Sequence, residues 1–344
     1  MRRFLAVALL AAWPLAPTTA AGSLDPALLA RAMERAQGLT RLHALIVARD
    51  GREVAAKAFR GPDLDRAVNV KSVSKSVIAA LVGAAIARGV LAGPDARVAD
   101  HLGDRLPKTP DPRLGRLTVG NLLSMKAGLE RTSGRNYGRR VNSRDWVRHA
   151  LARPFVDDPG GGMLYSTGNF HLLSAIVTRA TGRSTHALAE EWLGRPLGIR
   201  IPEWDRDPQG IYFGGNNMAL SPRALLRFGE IYRNGGVFEG RRVLPESWIA
   251  LSWTPRTESP FSGDDYGYGW FLTEFCGERA AYARGFGGQL VYVVPGTGQT
   301  IVITSEQTTR TRVNGYREAL TSLVADVLVP AALRADARDC PADG

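Results

Sequence analysis

The chain has 344 residues, 44% of them hydrophobic, a formal charge of +11 and only two cysteines. That composition is of an ordinary globular protein able to bury one large core or two closely packed ones. Dispersed surface arginines account for the charge, and no nucleic-acid-binding signature accompanies them, which excludes a nucleic-acid partner.

Arg2 and Arg3 precede an apolar run from Phe4 to Leu15, and Pro17-Thr18-Thr19-Ala20-Ala21 offers small residues for cleavage. Residues 1–21 therefore read as a secretory signal peptide, with an uncleaved N-terminal anchor as the alternative. The paired arginines lack the flanks of a twin-arginine export signal. Export predicts a periplasmic or secreted protein with no stable membrane insertion once the signal is removed. It also predicts an oxidising compartment, where Cys276 and Cys340 can pair if the fold brings them together.

Residues 24–36 read as a helix opened by Asp25-Pro26. Apolar runs at 42–49 and 53–59 flank Asp50-Gly51, a two-residue hairpin signal. Residues 72–89 form a long apolar helix. From about 90 to 225, helical patterns at 116–126, 143–152, 169–181 and 185–193 alternate with Pro- and Gly-rich loops. Strands return at 268–275, 280–284, 289–294 and 300–305, with Pro295-Gly296-Thr297-Gly298 as a turn, and a closing helix spans 314–329. Both chain ends thus supply strands plus a helix, and the middle supplies helices. The expected fold is α/β of the α+β kind: one antiparallel sheet built from both ends, flanked by helices, with a mostly helical subdomain inserted. The sheet part covers about 22–71 and 226–335, the helical part about 72–225, and 336–344 form a tail. The helix at 72 falls at the junction of the parts, where a cleft is expected.

Ser72-Val73-Ser74-Lys75 places a hydroxyl and an amine one helical turn apart on one face of that helix. A lysine whose charged form is disfavoured by burial can take the serine proton during attack on a carbonyl, which arginine cannot do. The chain has five lysines, at 57, 71, 75, 108 and 126, among its 44 basic residues. Ser72 as a simple helix N-cap is the competing reading. Tyr165-Ser166-Thr167-Gly168-Asn169 follows Pro159-Gly160-Gly161-Gly162 and precedes a helix. A tyrosine there can act as a base if positive charge lowers its pKa, or can simply pack. Gly285-Phe286-Gly287-Gly288-Gln289 enters an apolar strand, and an N–H at such an edge can serve an oxyanion hole or mark a bulge.

The order and spacing of Ser72-x-x-Lys75, Tyr165-Ser166-Thr167 and Gly287-Gly288-Gln289 resemble the serine β-lactamase and penicillin-recognising superfamily. The likeness is to its class C branch, with class C β-lactamases, esterases of β-lactamase fold, D-amino-acid peptidases and 6-aminohexanoate-dimer hydrolases. It extends over nearly all the mature chain, through Thr118 to Gly128, Ala180-Thr-Gly182, Pro196-Leu-Gly198, Met218 to Arg223 and Tyr266 to Trp270. The resemblance implies a β-lactamase/transpeptidase-like fold and an acyl-enzyme on Ser72. It implies proton transfer shared by Lys75 and Tyr165, with either as the base, and an oxyanion hole from the N–H groups of Ser72 and Gln289. It implies no metal and no cofactor.

Two departures qualify this. Phe286 stands where a lysine or histidine usually precedes the Gly287-Gly288 pair, removing a cation suited to a substrate carboxylate unless Arg284 compensates. Thr167 stands where asparagine or serine is frequent, keeping a hydroxyl but weakening an amide anchor. Tyr137, in an Arg-rich stretch (Arg131, Arg135, Arg139, Arg140, Arg144), is expected to line or cover the cleft, as a tyrosine does in nylon-oligomer hydrolases. That stretch reads as a solvated loop, with attraction of an anionic substrate or surface as the alternative. The five histidines show no metal-ligand spacing, and no G-x-S-x-G, P-loop or H-E-x-x-H motif is present. The expectation is an exported serine hydrolase of a small ester, amide or peptide. The alternatives are a β-lactamase or D-alanyl peptidase and, in another class, a non-hydrolytic envelope ligand-binding module.

Overall fold

The computed structural model describes residues 22–311 and 313–341, so the leader read at 1–21 lies outside the described residues. Leu42–Arg49 (β1) and Arg52–Ala58 (β2) form the expected hairpin. Asp50 and Gly51 both take positive φ, 50° and 81°, as a two-residue turn matched to strand twist requires. The later strands are Thr257–Glu258 (β3), Asp265–Tyr266 (β4), Phe271–Phe275 (β5), Glu278–Gly285 (β6), Gln289–Val294 (β7) and Gln299–Ser305 (β8). All eight join one antiparallel sheet in the order β2-β1-β8-β7-β6-β5-β4-β3. β1 meets β8 with Leu45 opposite Ile303 and Val47 opposite Ile301, so the two chain ends close the sheet. β7 and β8 are buried along their whole length, which explains their unbroken apolar sequences.

Five longer helices frame this sheet. Pro26–Gly38 (α1) starts where the Asp25 carboxylate accepts the Leu28 N–H at 2.8 Å. Ser74–Ala87 (α2) is buried from Ser74 to Ala85 and has no polar face, because it lies between the sheet and the helical insert. Its Gly83 receives the Trp248 ring, which a Cβ would meet at 2.3 Å. Thr167–Thr181 (α3) packs along α2 and stops at Gly182 with φ 66°. Pro222–Arg233 (α4), capped by Ser221, lies on β7 and β8. Tyr316–Leu323 (α5) continues through a wide π turn, Val324–Leu328, into a last segment, Val329–Ala335. Gly229 of α4 faces Thr300, while the Gln299 side chain donates to Leu328 O at 2.7 Å. Since alternate strand residues point to opposite faces, α4 and α5 cover opposite sides of the sheet.

Several boundaries differ from expectation. The closing helix extends beyond 329, since Pro330 sits in the first turn of the last segment, where its missing N–H does no harm. The helix expected at 116–126 shrinks to Val119–Leu123, opened by a Thr118–Asn121 capping box and followed by Met125 at φ 62°. That expected at 143–152 becomes Trp146–Leu151. α4 was not anticipated, although Ser221-Pro222 is a helix-start signal. Cys276 and Cys340 are joined in a disulfide that ties the tail to the end of β5. Among the described residues no helix is long and apolar enough to cross a membrane.

Candidate active site

The site is built on the turn that enters α2. Val68–Asn69 pairs with Ala219–Leu220, and the Val70 N–H donates to Met218 O at 2.9 Å, fixing the approach. Lys71 adopts a left-handed φ of 52°, unusual for a residue with a Cβ, and its N–H is held by Asn69 Oδ1 at 2.9 Å. Ser72 follows in a single 3-10 turn, Lys71–Val73. The N-cap reading of Ser72 is set aside: Val73 is the N-cap of α2, without a side-chain cap.

Lys75 Nζ donates to Ser72 Oγ at 2.9 Å and to Gly215 O at 2.5 Å. The lysine is 1% exposed, and burial, helped by the positive charge of Arg140, pushes its amine well below the usual lysine range. Gly215 reaches it because Gly214 and Gly215 lie flat on α3. A Cβ on Gly214 would fall 1.9 Å from Phe170 O, and one on Gly215 would fall 2.7 Å from the Thr167 methyl. Gly215 was missed from sequence. The run Gly214-Gly215-Asn216-Asn217 signals a turn, yet a carbonyl that serves a lysine leaves no side-chain signature.

Tyr165 precedes α3 and packs its ring below Lys75 Nζ, 5.0 Å from the centroid, and beside Phe271 at 6.3 Å. Burial raises its phenol above the usual range, and a hydrogen bond with Ser72 and the charge of Arg284 offset this in part. Of the two bases left open by the sequence, the directions favour the lysine: it is biased toward its neutral form and the tyrosine toward its protonated form. Thr167 is buried, and its hydroxyl pairs with Ser133 Oγ at 2.8 Å. The Thr132 and Ser133 hydroxyls also accept the N–H groups of Gly168 and Thr167, satisfying the start of α3 from a neighbouring loop.

On the sheet side the structure shifts the expected frame. Gly285, rather than Gly287 or Gly288, abuts the nucleophile turn, where a Cβ would fall 2.4 Å from Val70 O. β5 pairs with β6 only as far as Tyr282, so the edge from Ala283 onward is free of that neighbour. Gln289 lies across the ladder opposite Gly285 and is fully buried. Its side-chain amide donates to Ser305 O at 2.8 Å and accepts the Ser305 N–H at 3.2 Å. Gly287 and Gly288, at φ 85° and 103°, pack on Glu306 and Ser305 instead. Phe286 is the first residue beyond the ladder, with its ring 44% exposed. Arg284 stacks over Phe271 at 4.8 Å, amid aromatic rings.

Tyr137 packs against Phe213 at 6.3 Å between centroids, and its hydroxyl accepts Asn216 Nδ2 at 3.2 Å, one residue from the Lys75 acceptor. The Arg-rich stretch divides: Arg135, Arg139 and Arg144 are exposed, whereas Arg140 is fully buried, contrary to its reading as part of a solvated loop. His171 is buried and joined to Asp207 at 3.0 Å. Among the described residues no three or more His, Cys, Asp or Glu side chains converge as a metal site.

Half-buried Ser72 and buried Lys75 thus meet at the start of a sequestered helix and face the end of a sheet strand, the arrangement implied by the resemblance to penicillin-recognising enzymes. The chain belongs to the beta-lactamase family, whose profile matches residues 26–326. It is 28% identical over 331 residues to the 6-aminohexanoate-dimer hydrolase of Paenarthrobacter ureafaciens, covering 84% of this chain and 82% of that protein. It is 30% identical over 191 residues to esterase EstB of Burkholderia gladioli, a match spanning 51% of this chain and 48% of EstB, about half its length. EstCE1, described as a hydrolase with promiscuous acyltransferase activity, superposes with a TM-score of 0.71 at 18% identity, over 88% of this chain and 99% of that one. A D-stereospecific amidohydrolase of Streptomyces superposes at 0.67 and 21% identity, over 87% and 98%.

Proposed function

We propose that this protein is an exported serine hydrolase that forms an acyl-enzyme on Ser72 and hydrolyses a small ester or amide. The observation that carries this is the buried Lys75 amine 2.9 Å from Ser72 Oγ. Neutral Lys75 takes the Ser72 proton as Oγ bonds to the substrate carbonyl carbon. The oxygen that becomes negative is held by the N–H groups of Ser72 and Phe286, replacing the Ser72 and Gln289 pair that the resemblance implied. The alcohol or amine then leaves with a proton from Tyr165, which recovers one from Lys75. Water attacks the acyl carbon by the reverse proton path and frees Ser72. An esterase relative and two relatives acting on amide-type substrates support a choice between ester and amide. The free edge of β6 carries no lysine or histidine, and Arg284 there is stacked over Phe271, which weighs against substrates anchored by a carboxylate, β-lactams included.

The signs of the two shifts fix the pH dependence. Below the depressed Lys75 pKa the amine is ammonium and cannot accept the proton, so acylation falls as pH falls. Above the raised Tyr165 pKa the phenol ionises, so leaving-group protonation falls as pH rises. The test is stopped-flow release of p-nitrophenol from a short-chain ester. The expected result is a burst followed by turnover, both lost in Ser72→Ala. Equal rates in the two proteins would overturn the reading.

A further inference from the structure

Arg140 is fully buried, and its Nε, Nη1 and Nη2 have no hydrogen-bond partner among the described residues. Buried guanidinium groups are normally paired, because an uncompensated charge inside a protein is strongly unfavourable. Here the cation lies within a cage of rings, with its Cζ 4.3 Å from the Phe213 centroid, 4.9 Å from Trp146 and 5.5 Å from Tyr137. The ring faces attract it but supply no acceptor atom. The nearby carboxylate, Asp207, is already engaged by His171 and by the N–H groups of Gln209 and Ile211. Burial moves the guanidinium down only to about 10, so it stays charged at neutral pH.

The cage leads directly to the nucleophile. Phe213 lies two residues before Gly215, whose carbonyl accepts from Lys75, and Tyr137 accepts from Asn216, the residue after it. We propose that Arg140 is a positioning residue: a fixed positive charge that disfavours a second cation at Lys75 and clamps the Gly215 carbonyl against the Lys75 amine. The inference rests on Lys75 as the base. The groups that act on Lys75 are Ser72, Tyr165 with Arg284 behind it, the Gly215 carbonyl and Arg140. Those that act on Arg140 are Tyr137, Asp207, Lys75, His149 and His171, the two histidines being biased toward neutrality. Arg140 is thus the cation that biases Lys75 from the helical side.

The chain's five lysines make a direct measurement practical. With 13C,15N-lysine-labelled protein, the Lys75 Cε resonance, assigned by its loss in Lys75→Met, is titrated in wild type, Arg140→Met and Arg140→Lys. The expected result is a midpoint depressed in wild type, raised by about one pH unit in Arg140→Met, and restored in Arg140→Lys. The acid limb of kcat/KM for the p-nitrophenyl ester should move with it. A midpoint equally depressed in all three proteins would overturn the role of Arg140 while leaving Lys75 as the base. An ordinary lysine midpoint in wild type would overturn both. Arg140→Gln, neutral and shorter, gives the same reading if the methionine variant does not fold.

Discussion

Two buried arginines show how differently the two halves of the molecule use charge. Arg49, at the end of β1, donates to Ser23 O and to Asp336, fastening both termini of the described chain to the sheet. Arg140, in the helical half, has no hydrogen-bond partner among the described residues. In the sheet half the Gln289 and Gln299 amides likewise close onto backbone carbonyls. The helical half buries a lysine biased toward its neutral form, a caged cation and a His171–Asp207 pair. The Arg49 head is ion-paired and serves stability; Arg140 and Lys75 are left under tension beside the reacting groups, which need displaced pKa values.

The most severe way to break this contrast is Lys75→Arg, which puts a permanent cation where a neutral amine is to accept the proton. Acylation measured by the nitrophenol burst should fall by about a thousandfold or more in the folded protein. Near-normal acylation would mean that the lysine is not the base. Next in size is Arg49→Met, which leaves Asp336 and Ser23 O without their partner. Urea denaturation should show a loss of about 1.5 kcal/mol with the kcat of the folded enzyme unaltered, since the exposed Asp336 carboxylate is left to water. Arg140→Met, by contrast, should leave stability unchanged or raise it, since no hydrogen bond is lost; a comparable loss in both variants would erase the distinction. Smallest is Tyr137→Phe, which removes the acceptor for Asn216. A cost of about 1 kcal/mol or less in stability and a severalfold fall in kcat/KM are expected, and unchanged kinetics would show that Tyr137 only packs.

The sequence made the scaffold legible where local rules act alone. Asp50-Gly51 can form few turns other than the one observed, and the apolar runs of β1, β7 and β8 are the mark of strands covered on both sides. Ser72 and Lys75 were legible because helical spacing alone puts them together. The rest depends on contacts between distant segments. The glycine that meets the nucleophile turn is Gly285 rather than Gly287 or Gly288, because β6 ends where β7 begins to pair, a register that no composition specifies. Arg140 read as solvated since nothing local distinguishes it from Arg139; Phe213 and Trp146 bury it from elsewhere in the fold. Gly215 contributes a carbonyl, and every residue has one.

The closure of β1 against β8 has a consequence for the order in which this protein comes into being. Residues 42–49 emerge early in synthesis, but their partner at 299–305 emerges last of all the strands. Until then β1 can pair only with β2, and its inner edge carries buried-type residues with no neighbour, a template for association with other chains. Gly285, which faces the nucleophile turn, lies on β6, which joins β1 in the sheet only through β7 and that last strand. A nascent or truncated chain ending before residue 299 therefore carries the serine and the lysine but has no assembled catalytic wall. The strand that closes the sheet is thus also the one on which the wall facing the serine depends.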